Sequence, residues 1–167
     1  MTQREVKPAA YKSNVSMLEL KVPPLALVLL AAAGMWSASI FAPSFTWQLP
    51  YRQIAALFFV FAGGLVAVFG VVAFRRARTT VNPTRPQSTS SLVTGGVYRV
   101  SRNPMYLGFV LALVGVAFLL SNALSLVFIP AFVLYMNRFQ IEPEERALSA
   151  MFGQEFTAYR QRVRRWV

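Results

Sequence analysis

The sequence predicts an all-α polytopic integral membrane protein. It has four transmembrane helices, the last two a tight hairpin, and a C-terminal amphipathic cytoplasmic helix. Three observations predict it. Residues 23–42, 54–74, 105–120 and 123–137 carry no charge, although 14% of the chain is charged. The basic residues are confined to alternate connections between these runs. Beyond residue 140 the apolar residues recur at threes and fours, the period of a helix with one buried face. A charge at mid-membrane costs roughly 2.5–3.5 kcal/mol on insertion scales, so a bilayer selects runs without one. A buried soluble core excludes charge too, but soluble helices keep a polar face, and the first two runs have none.

The chain's 167 residues allow one domain. It divides into an N-terminal segment (1–21), the first two helices (22–74), a loop (75–104), the helical hairpin (105–139) and the tail helix (140–167). The first run begins late and lacks a small-x-small cleavage site before Trp36, so it reads as a retained helix and not a signal peptide. The third and fourth runs are short. At about 1.5 Å per residue they reach roughly 22–24 Å against a ~30 Å hydrocarbon core. They extend at their outer ends, with Arg138 snorkelling to the headgroups, or form a re-entrant hairpin buried against the first two. Only Ser121 and Asn122 separate them, which makes a tight helix–turn–helix.

Sixteen of the seventeen Lys and Arg lie before the first run, between the second and third, or after the fourth; Arg52 alone lies on the other side. The positive-inside rule then places both termini and the middle loop in the cytoplasm. The net charge of +11 is a topology and headgroup signal, since the basic residues are spread along a membrane face and form no nucleic-acid patch. With no His and no Cys, the chain has no Ser-His-Asp triad, Cys nucleophile, His or Cys metal site, disulfide or Fe–S cluster.

The loop is rich in Pro, Ser, Thr and Gly and reads as irregular chain. Its length argues for a role, and Leu92, Val93, Val97 and Tyr98 around Gly95-Gly96 suit it to press on the protein. In the tail, Pro143 fits the first turn, and Glu142, Glu144 and Glu145 suit the positive end of the helix dipole. Leu148, Met151, Phe152, Phe156, Tyr159 and Val163 form one face; Arg146, Arg160 and Gln161 form the other. Such a helix either lies on the inner leaflet or covers a site there.

Residues equidistant from a hairpin turn share a membrane height. Arg102 is thereby predicted to meet the Glu144–Glu145 pair at the cytoplasmic rim. Asn103, Tyr106, Tyr135 and Asn137 are near the same level, and Tyr98 and Arg99 arrive from the loop. Two readings are open. One is an interfacial salt bridge worth ~1 kcal/mol or less. The other is a pocket for a zwitterion, with a guanidinium for its carboxylate and a carboxylate for its ammonium. Aromatic faces there would also suit a sulfonium or an adenine.

The string LVTGGVYRVSRNPMYLG (92–108), followed by EPEERALSAMFGQEFTAYRQRVRRW (142–166), resembles the isoprenylcysteine carboxyl methyltransferase and phospholipid methyltransferase families. Their pattern is Arg-His-Pro-x-Tyr-x-Gly, a hydrophobic hairpin, a Glu-Glu pair, and Phe-Gly-x-x-[Tyr/Phe]-x-x-Tyr. The likeness runs over residues 79–166, and the first two helices match only in hydrophobic character. It implies an S-adenosylmethionine-dependent membrane methyltransferase acting on a lipophilic acceptor by direct in-line transfer, with S-adenosylhomocysteine as product and no metal or nucleic acid. The cofactor residues it implies are Leu92, Val93, Gly96, Tyr98, Arg102, Asn103, Tyr106, Gly108, Glu144 and Glu145. For the transfer itself, Arg99 or Arg102 is expected to hold an acceptor carboxylate, and Glu145 to serve as base for an amine acceptor. Asn103 stands where the family has His; it keeps a donor and an acceptor but does not titrate. The expected location is a bacterial inner membrane. The rival readings are an NADPH-dependent sterol-reductase-like enzyme, for which the chain is short, and a non-catalytic membrane scaffold.

Overall fold

Proline placement and left-handed residues set the helix boundaries. The computed structural model describes residues 19–77 and 91–167, and these are helical or irregular, with no strand among them. The rest of the N-terminal segment and residues 78–90 of the expected loop lie outside the described residues. Helix α1 (Pro24–Phe41) begins on Pro24, whose missing N–H would have no helical acceptor. It stops at Ala42, where the following Pro43 disfavours helical backbone. Helix α2 (Arg52–Arg76) starts after Tyr51 (φ 57°). Helix α3 (Pro104–Leu120) again opens on a proline and ends at Ser121 (φ 48°).

The last part of the chain differs from the expectation. The fourth apolar run and the tail are one continuous helical path, Leu124–Arg162, and not a span followed by a separate helix. It passes through a 3₁₀ turn (Leu124–Val127), α4 (Phe128–Tyr135), a π-helical turn (Met136–Ile141) and α5 (Glu142–Arg162). Gly153 (φ 48°, ψ −116°) kinks α5, which shifts the phase of its apolar face. Phe156, Tyr159 and Val163 are buried as expected of that face, whereas Met151 is 40% exposed.

Among the described residues, three helical runs are long and apolar enough to cross a membrane: Pro24–Phe41, Arg52–Arg76 and Leu124–Arg162. α3 has 17 residues, or about 25 Å at ~1.5 Å per residue, short of the ~30 Å core. Its flanks supply no further helical turn, so the expected fourth full span is a shorter apolar helix. Leu30, Phe41, Leu57 and Phe61 are each more than two-thirds exposed. Such a girdle has no water-soluble rationale, and it marks an integral membrane protein.

α2 and α3 pack closely because small residues face each other. A Cβ on Gly115 would lie 2.8 Å from the Ala56 carbonyl oxygen and 2.7 Å from Val60 Cγ2. Gly63 and Gly108 abut backbone to backbone. Gly115→Ala is expected to destabilise the protein by about 1–3 kcal/mol through overpacking, read as a lowered unfolding temperature in detergent.

The hairpin turn is tied to the α1–α2 connection. Buried Asn122 donates from Nδ2 to the Ala42 carbonyl (2.9 Å) and Thr46 Oγ1 (3.0 Å). Its Oδ1 accepts from the amides of Leu124 and Ser125. Ser125 Oγ donates to the Met35 carbonyl at 2.7 Å. Asn122→Ala strands several buried polar groups and is expected to cost about 2–4 kcal/mol in the same unfolding measurement. One core lies along the helices around Met35, Tyr106, Leu113, Phe132 and Met136. A second lies at the opposite end of α3 from this turn, around Tyr98, Phe156, Tyr159 and Val163.

Candidate active site

Arg102 and Glu145 meet as the hairpin geometry requires. Arg102 immediately precedes α3, and Glu145 lies in the first turn of α5. Arg102 Nη2 is 3.1 Å from Glu145 Oε1, and both side chains are only 11% exposed. The Nε and Nη1 atoms of Arg102 are buried and have no hydrogen-bond partner among the described residues. Burial pulls the guanidinium below its ordinary pKa, opposed by Glu145, which holds it up.

Glu144 does not join Arg102, contrary to the expectation for the acidic pair. Successive helical side chains diverge by about 100°, so the two carboxylates face different neighbours. Glu144 Oε1 accepts from the Tyr106 hydroxyl (2.5 Å) and from Gln140 Nε2 (2.6 Å). Among the described residues it makes no ion pair. Gln140 reaches it from within the π turn, a feature frequent at functional sites.

The other expected residues divide. Tyr98 is buried in the second core, edge-on to Phe74 at 5.4 Å, and its carbonyl accepts from the Tyr159 hydroxyl at 2.7 Å. Burial pushes the Tyr98 phenol pKa up. Leu92 and Val93 pack on the same core. Asn103 donates from Nδ2 to the Arg165 carbonyl (2.9 Å), so the residue at the family's His position holds the C-terminal backbone. Gly96 takes φ 61° on an exposed turn. Arg99 is exposed and forms no ion pair among the described residues. Gly108 faces α2, where a Cβ would meet the Gly63 carbonyl oxygen at 2.5 Å, so its role in the structure is helix packing. The Tyr135 ring lies 4.8 Å from that of Phe139, tilted by 44°.

Several residues of the site went unmarked in the sequence. Arg165 closes on the far side of Glu145 with two bonds, Nε at 3.1 Å and Nη2 at 2.7 Å, and this bonding raises its own pKa. The Arg102 amide donates to the Arg164 carbonyl (3.0 Å), and Trp166 Nε1 donates to Asn137 Oδ1 (3.0 Å). The basic C-terminal stretch reads as headgroup-facing charge, and nothing in its spacing marks one arginine as a partner of Glu145. Arg138, with its side chain half exposed, bridges Glu19 (3.2 Å) and Glu142 (3.6 Å). Beside Glu145, between the arms of the kinked α5, lies a cavity of about 440 Å³ lined by Glu142, Arg146, Ser149, Ala150 and Arg160. That is the size of a small-molecule site. No His/Cys/Asp/Glu group suited to a metal occurs among the described residues.

Fold and site together define an integral membrane protein with a polar centre where an apolar hairpin meets its tail helix. The family model for phospholipid methyltransferases matches residues 51–155, and the chain belongs to that family. A probable protein-S-isoprenylcysteine O-methyltransferase of Oryza sativa subsp. indica is 36% identical over 120 residues, 70% of this chain and 60% of that protein. Protein-S-isoprenylcysteine O-methyltransferase B of Arabidopsis thaliana is 32% identical over 107 residues, 62% of this chain and 53% of that one. The Saccharomyces cerevisiae protein-S-isoprenylcysteine O-methyltransferase is 39% identical over 83 residues, 48% of this chain and 34% of the yeast protein. The chain thus spans 60% or less of the length of these curated relatives. No solved structure matches it.

Proposed function

We propose that this chain is an S-adenosylmethionine-dependent methyltransferase that methylates a lipophilic acceptor at the cytoplasmic face of the membrane. One observation carries the reading. Among the described residues, Arg102 keeps two buried nitrogens without a hydrogen-bond partner, and Glu144, next in sequence to the Glu145 that Arg102 pairs with, makes no ion pair. A cofactor bearing a carboxylate and an ammonium suits both groups. When bound, S-adenosylmethionine supplies a methyl group already activated on a sulfonium.

The free N–H groups on Nε and Nη1 of Arg102 would receive the carboxylate, while Glu145, bonded to Arg102 and Arg165, holds that guanidinium in place. Glu144 receives the ammonium, aimed by Tyr106 and Gln140. Leu92, Val93 and Tyr98 close the loop side and exclude water, and Tyr98 and Tyr106 offer aromatic faces to a cation. Gly96, Asn103, Arg99 and Gly108 complete the proposed set, the last by fixing α3. Direct in-line transfer asks the protein for orientation more than for acid–base chemistry. A carboxylate acceptor needs no base, which accords with Asn103 and with the relatives' printed activity. An amine acceptor would need one, and the Glu145 carboxylate is already bonded to Arg102 and Arg165. Arg99, exposed and without an ion pair among the described residues, would attract an acceptor carboxylate. The bias of basic residues supports cytoplasmic termini, and two full spans plus the hairpin support the four-helix arrangement.

Equilibrium binding to the purified protein in detergent tests the reading. S-Adenosylhomocysteine is expected to bind and NADPH not to bind. NADPH binding alone would support a reductase; binding of neither, a scaffold. Supplying protein and S-adenosylmethionine to a lipid extract should then add one methyl mass to the acceptor.

A further inference from the structure

Glu19 is the most deeply buried carboxylate outside the site, with its side chain only 3% exposed. It belongs to the segment before α1, yet it contacts the far end of the chain. One oxygen lies 3.2 Å from Arg138 Nη1 and the other 2.5 Å from Arg146 Nη2. The next residue fastens the same place, since the Leu20 amide donates to the Phe139 carbonyl at 3.0 Å. Arg138 sits in the π turn and Arg146 in α5 just after the acidic pair. The two arginines therefore bracket the segment that presents Glu142, Glu144 and Glu145.

The pairing is not the locally easiest one. Glu142 and Arg146 stand four apart with the acid first, the favoured order for a helical ion pair. Arg146 is instead drawn to Glu19, and Glu142 turns back to Arg138. A π turn carries an extra residue, so the phase of the following helix depends on where that turn is held. Joining Arg138 and Arg146 through one buried carboxylate holds it.

We infer that Glu19 is a positioning residue for the methyl-transfer site: it clamps Arg138 to Arg146 and so sets the rotation at which Glu144 faces Tyr106 and Glu145 faces Arg102. This rests on the proposed function for its kinetic consequence, though not for the clamp itself. Without Glu19 the two arginines repel each other, and Arg146, which lines the cavity beside Glu145, turns toward Glu142 and Glu145.

The test uses the full chain in detergent with Glu19→Gln, Glu19→Asp and Arg146→Gln. In Glu19→Gln, amide hydrogen exchange across residues 138–146 is expected to accelerate while α2 and α3 keep their protection. S-Adenosylhomocysteine binding is expected to weaken about tenfold, and KM for the methyl donor to rise with kcat within about twofold. Glu19→Asp should recover part of the affinity, which a general packing defect would not do. Arg146→Gln should show the same KM shift, and the double variant no further loss. Unchanged exchange in 138–146 overturns the clamp, and additive losses in the double variant overturn the coupling. If the wild-type chain bound no S-adenosylhomocysteine, the proposed function would fall, and the exchange result would still decide the clamp.

Discussion

Arg102→Ala is expected to weaken S-adenosylhomocysteine binding by about 2 kcal/mol or more, roughly thirtyfold, measured by titration calorimetry in detergent. Two effects combine. The ligand loses a guanidinium whose Nε and Nη1 are buried and otherwise unpartnered. Glu145 also loses one of its two cations and is left to Arg165 alone. Arg102→Lys is expected to restore little. A single ammonium lacks the separate Nε and Nη1 donors that Arg102 keeps while Nη2 holds Glu145. An affinity unchanged in Arg102→Ala would remove the zwitterion pocket from the account.

Glu144→Gln is expected to cost a similar factor in affinity for the opposite electrostatic reason, and to leave the unliganded protein at least as stable. An amide oxygen still accepts from the Tyr106 hydroxyl and from Gln140, both of which now reach the same oxygen. What disappears is a buried carboxyl with no ion pair among the described residues, a group that is costly to ionise before the ligand binds and that pairs with the ammonium after. The signature is a split: weaker binding by calorimetry with no fall in unfolding temperature. A fall in both would make Glu144 a structural residue, and retained affinity would assign the ammonium elsewhere.

The height of the polar centre along the hairpin was legible in the sequence. Counting outward from Ser121–Asn122 located Arg102 opposite the acidic pair, and the pair that forms is Arg102 with Glu145. The count fixes height along the helix axis but not rotation about it, so it did not separate Glu145 from Glu144. The tail's apolar spacing found Phe156, Tyr159 and Val163, yet it treated the helix as straight. Gly153, an ordinary letter in the pattern, takes a left-handed φ and changes the phase. Gly108 illustrates the same limit, since a glycine in a motif looks the same whether it admits a ligand or, as here, a neighbouring helix.

Class, apolar runs, turn and family motif were determined by the sequence alone. Each depends on local properties, namely the cost of a charge in hydrocarbon and the backbone limits of proline and of short turns. Partner choice was decided only by the tertiary structure: Glu19 with Arg138 and Arg146, Arg165 with Glu145, Asn103 with the Arg165 carbonyl. A chain with seventeen basic residues and six acidic ones offers many possible ion pairs. Which of them form depends on side-chain direction, and a single π turn is enough to redirect every side chain that follows it.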